Sequence, residues 1–186
     1  MLRVLRRVRD DGSSAQERAA SWPCDHVLPA PDDVLFRSID IAAPPEAVFR
    51  WLCQLRVAPY SYDWIDNFGR RSPRTLVPGL DALEVGQTFC WFLELVEFAT
   101  NSHLTLRARN AFGDVVVTYR VSGTEHPARS RLVVKLLVRY RRDLLGRVCS
   151  LVLPPSDLVM MRKQLRTIAC LAERSATSSA TAPCTR

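Results

Sequence analysis

The sequence lacks the signatures of several common protein classes. Its six cysteines form no CxxC motif and have no regular spacing with the three histidines. This argues against a structural zinc site, and we expect neither a metal nor another cofactor. There is no uninterrupted run of about 20 apolar residues, so no transmembrane helix is predicted. The first nine residues interleave apolar and basic side chains and do not resemble a secretory signal, which predicts a cytoplasmic protein with free thiols.

Lysine is nearly absent, although the chain is basic. Of the 26 basic residues only Lys135 and Lys163 are lysines, and the net charge is +7. Seven basic residues and one acid lie between Arg129 and Arg147. Neither a helix-turn-helix pattern nor an RNP-like motif nor a zinc knuckle accompanies this charge, so we expect no nucleic-acid partner. The alternation of residues 131–141 predicts instead that these cations lie on a solvated sheet face.

The 186 residues are enough for one domain with less ordered ends. Residues 1–30 are polar and contain prolines, which favours a flexible, extended arm over a helix. Residues 175–186 are rich in Ser, Thr and Ala, which predicts a disordered tail. The folded domain is therefore expected to span residues 31–174.

Hydrophobic periodicity predicts the elements of this domain. A strand at 34–43 is followed by an amphipathic helix at 44–55 and by a second short helix at 60–68. Four strand-like segments come next, at 86–98, 103–109, 114–121 and 131–141. In the last segment, alternate apolar residues predict a buried face formed by Leu132, Val134, Leu136, Val138 and Tyr140. The final segment, 156–174, follows Pro154 and Pro155 and predicts a long amphipathic helix. Apolar residues at spacings of 3 and 4 define its inward face: Leu158, Met161, Leu165, Ile168 and Ala172.

This order predicts an α+β fold. A curved antiparallel sheet would wrap around the long C-terminal helix, with two short helices after the first strand. A sheet that wraps a helix leaves space between the two, and small molecules bind in such spaces.

The same order, with "IDIAAPPEAVFRWLCQL", "YSYDWIDN" and "LEVGQTF", resembles the SRPBCC superfamily. This helix-grip group includes START lipid-transfer domains and polyketide cyclase/dehydrase-like proteins. The segments "WPCD", "CQLRVAPYSYDWIDNFGRRSPR" and "DLVMMRKQL" resemble a bacterial branch marked by the YSYDW motif. The resemblance covers about residues 22–174. It implies a pocket for a small, mainly apolar molecule (a lipid, polyketide or isoprenoid-like compound), but it carries over no catalytic residue.

Residues 56–74 concentrate aromatic and charged side chains beside the expected pocket. The aromatic residues combine a large apolar body with a polar tip, which suits a pocket rim; they are Tyr60, Tyr62 and Trp64. Arg70 and Arg71 are the charged residues that we expect to contact a ligand. The alternative is a structural corner locked by buried aromatic residues and Asp–Arg pairs, and we favour this alternative for most of the segment.

Residues outside this segment complete the predicted site. Trp91 lies in a strand pattern, and Met161 and Leu165 lie on the inward face of the C-terminal helix, so we expect all three to line the pocket. Two functions stay open: binding without catalysis, and a cyclase/dehydrase-like enzyme that uses the same cavity. For an enzyme, the weak candidates for the reacting groups are Tyr62, Asp63 and His103.

The N-terminal nine residues suggest a further partner. Their apolar side chains fall near one side of a helix, with four arginines over the rest. Interfacial helices combine these features, but nine residues are too few for a stable helix in water. We therefore predict at most weak peripheral membrane contact through residues 1–9.

Overall fold

A computed structural model of the chain describes residues 8–110 and 113–181, with residues 179–181 described by their backbone only. Within this part, seven strands form one curved, open sheet: β1 (Asp10–Asp11), β2 (Asp33–Ile41), β3 (Thr88–Phe89), β4 (Leu93–Ala99), β5 (His103–Asn110), β6 (Gly113–Gly123) and β7 (Ser130–Tyr140). Their order is β1-β2-β7-β6-β5-β4-β3. All neighbouring strands are antiparallel except β1 and β2.

The described helices are α1 (Ala15–Ala19), α2 (Pro23–Val27), α3 (Pro45–Cys53), α4 (Asp63–Asp66) and α5 (Leu144–Thr181), and a 3₁₀ turn, Gln54–Arg56, extends α3. The predicted α+β helix-grip arrangement is confirmed. A curved sheet is followed by a long C-terminal helix that packs against it, and two short helices follow β2.

The main core lies between the concave face of the sheet and the helices α3 and α5. The alternating residues of β7 predicted to be buried all belong to it, including Leu132 and Val134, which are fully buried. Helix α5 packs mainly against β2 and α3. Ile168 and Ala172, from the predicted inward face of α5, are also fully buried.

The other face of the sheet is covered by the segment that contains α1 and α2. Trp22, Cys24 and Leu28 are buried there against Phe36 and Val133. The extended conformation predicted for residues 1–30 is therefore wrong at 15–19 and 23–27. Pro23 occupies the first turn of α2, where a proline's missing N–H costs no hydrogen bond, so it begins this helix instead of preventing it.

The same segment corrects the prediction that the cations of β7 face solvent. Lys135 Nζ donates to Asp25 at 2.5 Å, and Arg131 Nε donates to Glu17 at 2.9 Å. Arg139 donates to the backbone carbonyl of Pro29. The basic residues of β7 thus bind the N-terminal segment to the sheet.

Helix α5 begins twelve residues before the predicted start at 156 and continues past 174. Asp143 caps its N-terminus, because the Asp143 carboxylate accepts from the Gly146 N–H at 2.9 Å. Pro154 and Pro155 lie inside the helix and deprive two carbonyls of the preceding turn of their N–H donors. Ser156 Oγ donates to the Val152 carbonyl at 2.8 Å and supports this weak point.

The C-terminal end of α5 also differs from the prediction of a disordered tail. Residues 175–181 are helical, and Ser175 Oγ accepts a hydrogen bond from Trp51 Nε1 at 3.0 Å. Residues 182–186 lie outside the described residues. So do residues 1–7, which include most of the segment predicted to contact a membrane.

The first half of α5 projects an exposed apolar stripe, which we call the ridge: Leu144, Leu145, Val148, Leu151, Val152 and Val159. Their spacing places them on one side of the helix. By length and composition alone, Leu144–Ser178 could cross a membrane, which the sequence did not predict. This is weak evidence for a span, because the second half of the helix belongs to the core of the domain.

Candidate functional site

A cavity of about 370 Å³ lies between the concave face of the sheet and α5, where the fold predicted one. The sheet, the segment before α4 and the helix all contribute to its lining, which consists of Pro59, Ser61, Asp66, Cys90, Phe92, Leu93, Asn110, Val115, Val117, Tyr119, Leu136, Leu153, Ser156, Asp157, Met160, Met161 and Gln164. Most of the lining surface is apolar. Three of the lining residues are also exposed to solvent and therefore mark the opening of the cavity: Phe92, Asn110 and Ser156.

A chain of hydrogen bonds crosses the cavity wall. Tyr119 Oη donates to Gln164 Oε1 at 2.8 Å, and Gln164 Nε2 donates to the Pro59 carbonyl at 2.7 Å. Burial raises the pKa of Tyr119 well above its usual range, so the phenol stays neutral. The chain ties β6, α5 and the segment before α4 together at the wall.

A buried ion pair stands beside the cavity. Arg37 on β2 is 1% exposed, and its Nη2 lies 2.8 Å from Asp157 Oδ2 on α5. The guanidinium also donates to the carbonyls of Phe36 at 2.7 Å and Pro154 at 3.4 Å. Burial raises the pKa of Asp157 to about 6, although the charge of Arg37 opposes this shift.

Asp66, at the end of α4, is the second carboxylate of the cavity. Burial raises its pKa. Asp66 Oδ1 is buried and has no hydrogen-bond partner among the described residues. Ser61 Oγ donates to the Met160 carbonyl at 3.2 Å, which joins this part of the wall to α5.

The turn between β3 and β4 closes another part of the wall in a strained conformation. Cys90 and Trp91 have φ angles of 45° and 70°, in the left-handed region that non-glycine residues rarely adopt. The Cys90 N–H donates to the Leu55 carbonyl at 2.8 Å, which fixes the turn. Burial raises the pKa of Cys90 to about 12, so its sulfur is a thiol and not a nucleophilic thiolate.

One of the predicted ligand-binding residues, Met161, lines the cavity. Tyr60 and Leu165 are buried in the core instead, and the Tyr60 ring packs edge-on against Trp51 with centroids 5.9 Å apart. Tyr62 is half-buried just before α4 and does not line the cavity. The remaining four are exposed side chains outside the lining: Trp64, Arg70, Arg71 and Trp91.

The structure does not bring the three catalytic candidates together in the cavity. Asp63 accepts hydrogen bonds from the Ser72 N–H at 3.0 Å and from Ser72 Oγ at 2.5 Å, so it holds the loop that follows α4. His103 begins β5 and lies 3.5 Å from Glu97. Like Tyr62, neither of them belongs to the lining.

Sequence reasoning missed the polar residues of the cavity, chiefly Asp66, Tyr119, Asp157 and Gln164. Asp157 and Gln164 interrupt the apolar positions of α5, and a polar residue that faces a core is a signal for a site. The apolar periodicity of α5 does not indicate these two residues, because it defines the inward face by apolar side chains alone.

A second depression, of about 610 Å³, is lined by the end of β2, the connection between β6 and β7, and Glu173 of α5. It is larger, but most of its lining residues are polar or charged, among them Asp40, Glu125, Arg129 and Glu173, and its lining surface is less apolar than that of the smaller cavity. Because mainly apolar cavities with a few convergent polar groups are the usual binding sites, we place the candidate site at the smaller cavity.

No protein-family model matches the chain, and no curated protein matches its sequence. A solved structure from Chromobacterium violaceum has a TM-score of 0.51 at 14% identity, over 76% of this chain and 98% of that one. A hypothetical protein from Helicobacter pylori has a TM-score of 0.52 at 12% identity, over 83% and 96%. A START superfamily protein from Mycobacterium smegmatis has a TM-score of 0.44 at 13% identity, over 78% and 98%, which is too low to support an argument. At these identities the likeness shows the fold alone.

Proposed function

We propose that the protein binds a small, mainly apolar molecule, such as a lipid, polyketide or isoprenoid-like compound, in the cavity between the sheet and α5. The SRPBCC resemblance implies this function. The observation that supports it is the cavity itself, whose volume of about 370 Å³ falls within the range of small-molecule sites, roughly 300–1,000 Å³. Val117 and Leu136 line it from the floor of the sheet.

The chemistry of the wall supports an apolar occupant. Water in a mainly apolar cavity finds few partners, and an apolar molecule that replaces it gains roughly 25 cal/mol for each Å² of apolar surface removed from water. The polar groups of the wall are few and come from separate elements. Such groups orient a ligand more than they hold it.

The test is to fill the cavity from α5. Met161→Trp places an indole in the cavity, whereas Val159→Trp adds the same group to the exposed ridge of the same helix. We expect dodecanol to raise the Tm of the wild type and of Val159→Trp but not that of Met161→Trp. The proposal fails if no apolar compound raises the Tm of the wild type and native mass spectrometry of protein from its own host finds no bound molecule.

A cyclase/dehydrase-like enzyme is the second candidate, and Asp157 is the observation that favours it. A carboxyl with a pKa of about 6 at a cavity wall has the proton affinity of a general acid or base near neutral pH. Tyr119, neutral and with its proton donated to Gln164, would position a substrate hydroxyl by accepting a hydrogen bond from it. On a polyketide-type substrate, Asp157→Asn should abolish turnover while Tyr62→Phe, outside the cavity, should keep it. The reverse result would point back to the YSYDW segment.

A further inference from the structure

The cavity contains acidic groups but no basic ones. Asp66 and Asp157 line the cavity, and the described lining residues include no lysine, arginine or histidine. The nearby buried cation, Arg37, is already committed: its guanidinium contacts Asp157 and donates to the carbonyls of Arg9, Phe36 and Pro154. Its Nε has no hydrogen-bond partner among the described residues, but Arg37 does not line the cavity and so does not present this donor to a ligand.

The hydroxyl groups of the wall have already used their protons. A hydroxyl has one proton to donate and lone pairs with which to accept. Tyr119 donates its proton to Gln164, Ser61 to the Met160 carbonyl, and Ser156 to the carbonyl of Val152. Each of these oxygens therefore offers a ligand only acceptor capacity.

The carboxylates add further acceptors. Asp66 Oδ1 is buried without a donor among the described residues, and Asp157 Oδ2 has its ion pair with Arg37 but no well-aligned hydrogen bond. Three groups depart from this pattern. The Gln164 amide has a second N–H besides the one that it donates to the Pro59 carbonyl. The Asn110 amide at the opening carries N–H donors, and the Cys90 thiol is a weak donor.

We propose that the cavity selects apolar molecules whose polar end is a hydrogen-bond donor, an alcohol or an amine, and rejects those that end in a carboxylate or phosphate. This inference rests on the proposed binding function. A donor end meets the free lone pairs of the wall, whereas an anionic end would face acceptors and two acidic side chains without a cation to neutralise it. The net charge of the protein, +7, acts in the opposite direction, because it attracts anions. A preference for amines over carboxylates therefore has to arise inside the cavity.

The test compares three probes of equal chain length at neutral pH and below their micelle concentrations: dodecylamine, dodecanol and dodecanoic acid. Calorimetry and Tm measurements are made on the full chain and on Met161→Trp, which reports whether binding is inside the cavity. We expect the amine and the alcohol to bind at least about tenfold more tightly than the acid. If the acid binds equally well or better, and Met161→Trp abolishes that binding, this inference is wrong while the binding function stands.

If none of the three probes binds in a manner sensitive to Met161→Trp, the binding function and this inference both fail. Asp66→Asn tests the wall directly, since it replaces a carboxylate with an amide that can also donate. We expect it to weaken amine binding about tenfold and to strengthen acid binding. Glu84→Gln removes the same charge from an exposed site outside the cavity and should change neither. Equal effects of the two variants would mean that net charge, and not the wall, sets the preference.

Discussion

Arg37 is the most deeply buried charged side chain described in the molecule, and its partner Asp157 follows the two prolines of α5. Removing one member of such a pair leaves the other charge buried without compensation, which typically costs about 3–5 kcal/mol. We therefore expect Arg37→Met to lower the free energy of unfolding by about that amount in urea titrations. The double variant Arg37→Met/Asp157→Leu should recover much of the loss. A double variant no more stable than the single one would mean that the pair itself, and not its desolvation, holds α5 to β2.

The pKa of Asp157 makes a second residue-scale prediction. It is raised from 3.8 to about 6 in the fold, so the folded protein keeps this proton over a range in which the unfolded chain has released it. The contribution of Asp157 to stability is therefore fully present below about pH 4 and is lost as the pH rises to about 6, by about 3 kcal/mol at most. Relative to Asp157→Asn, which does not titrate, the wild type should lose stability across this window. Parallel profiles for the two proteins would contradict the raised pKa.

At the scale of elements, the N-terminal segment acts as a cover for the convex face of the sheet. The Trp22 ring is 2% exposed, packs edge-on against Phe36 with centroids 5.9 Å apart, and lies 4.0 Å from the Arg120 guanidinium. Truncating a buried tryptophan typically costs about 3–5 kcal/mol. Trp22→Ala should therefore lower the unfolding free energy by about that amount, while Trp64→Ala, at a ring that is 76% exposed, should change it by no more than about 0.5 kcal/mol. Equal small effects would mean that the segment does not dock in solution.

The ridge of α5 is the second element with a consequence of its own. Exposed arginines, Arg141, Arg142 and Arg147, surround its start, and each cation near an anionic surface contributes on the order of 1 kcal/mol. We expect the ridge, more than residues 1–9, to bring the protein to anionic vesicles. Val148→Ser/Leu151→Ser should reduce co-sedimentation strongly, whereas deletion of residues 1–7, or Val77→Ser/Val85→Ser elsewhere on the surface, should not. If only the deletion of residues 1–7 abolished co-sedimentation, the N-terminal arm and not the ridge would be the membrane contact.

At the scale of the whole molecule, hydrophobic periodicity predicted those features that are determined within a single strand or helix. The alternation of β7 and the 3- and 4-residue spacing of α5 correctly placed their inward faces, because burial on one side imposes those periods. The cover formed by α1 and α2 was missed, since five-residue helices are too short to show a period. The predicted start of α5 was wrong because prolines usually begin or interrupt a helix. Here the helix continues through Pro154 and Pro155, where Ser156 and Arg37 donate to the carbonyls of Val152 and Pro154. The polar wall of the cavity joins residues such as Pro59 and Gln164, and no local pattern links positions so far apart in the chain.

The sheet lies between two apolar layers, which limit the access of water to the backbone amides of its central strands. On β6 and β7, Val116 and Val133 face the N-terminal cover, while Val117 and Val134 face the core under α3 and α5. The amide protons of these central strands can reach water only when the whole domain opens, so their deuterium exchange should be the slowest and should track the global unfolding free energy. The two-residue edge strand β3 should exchange orders of magnitude sooner through local opening. Amide exchange should therefore be slow at the centre of the sheet and fast at its edge. The cavity opening, at Phe92 and Asn110, lies towards the fast-exchanging edge.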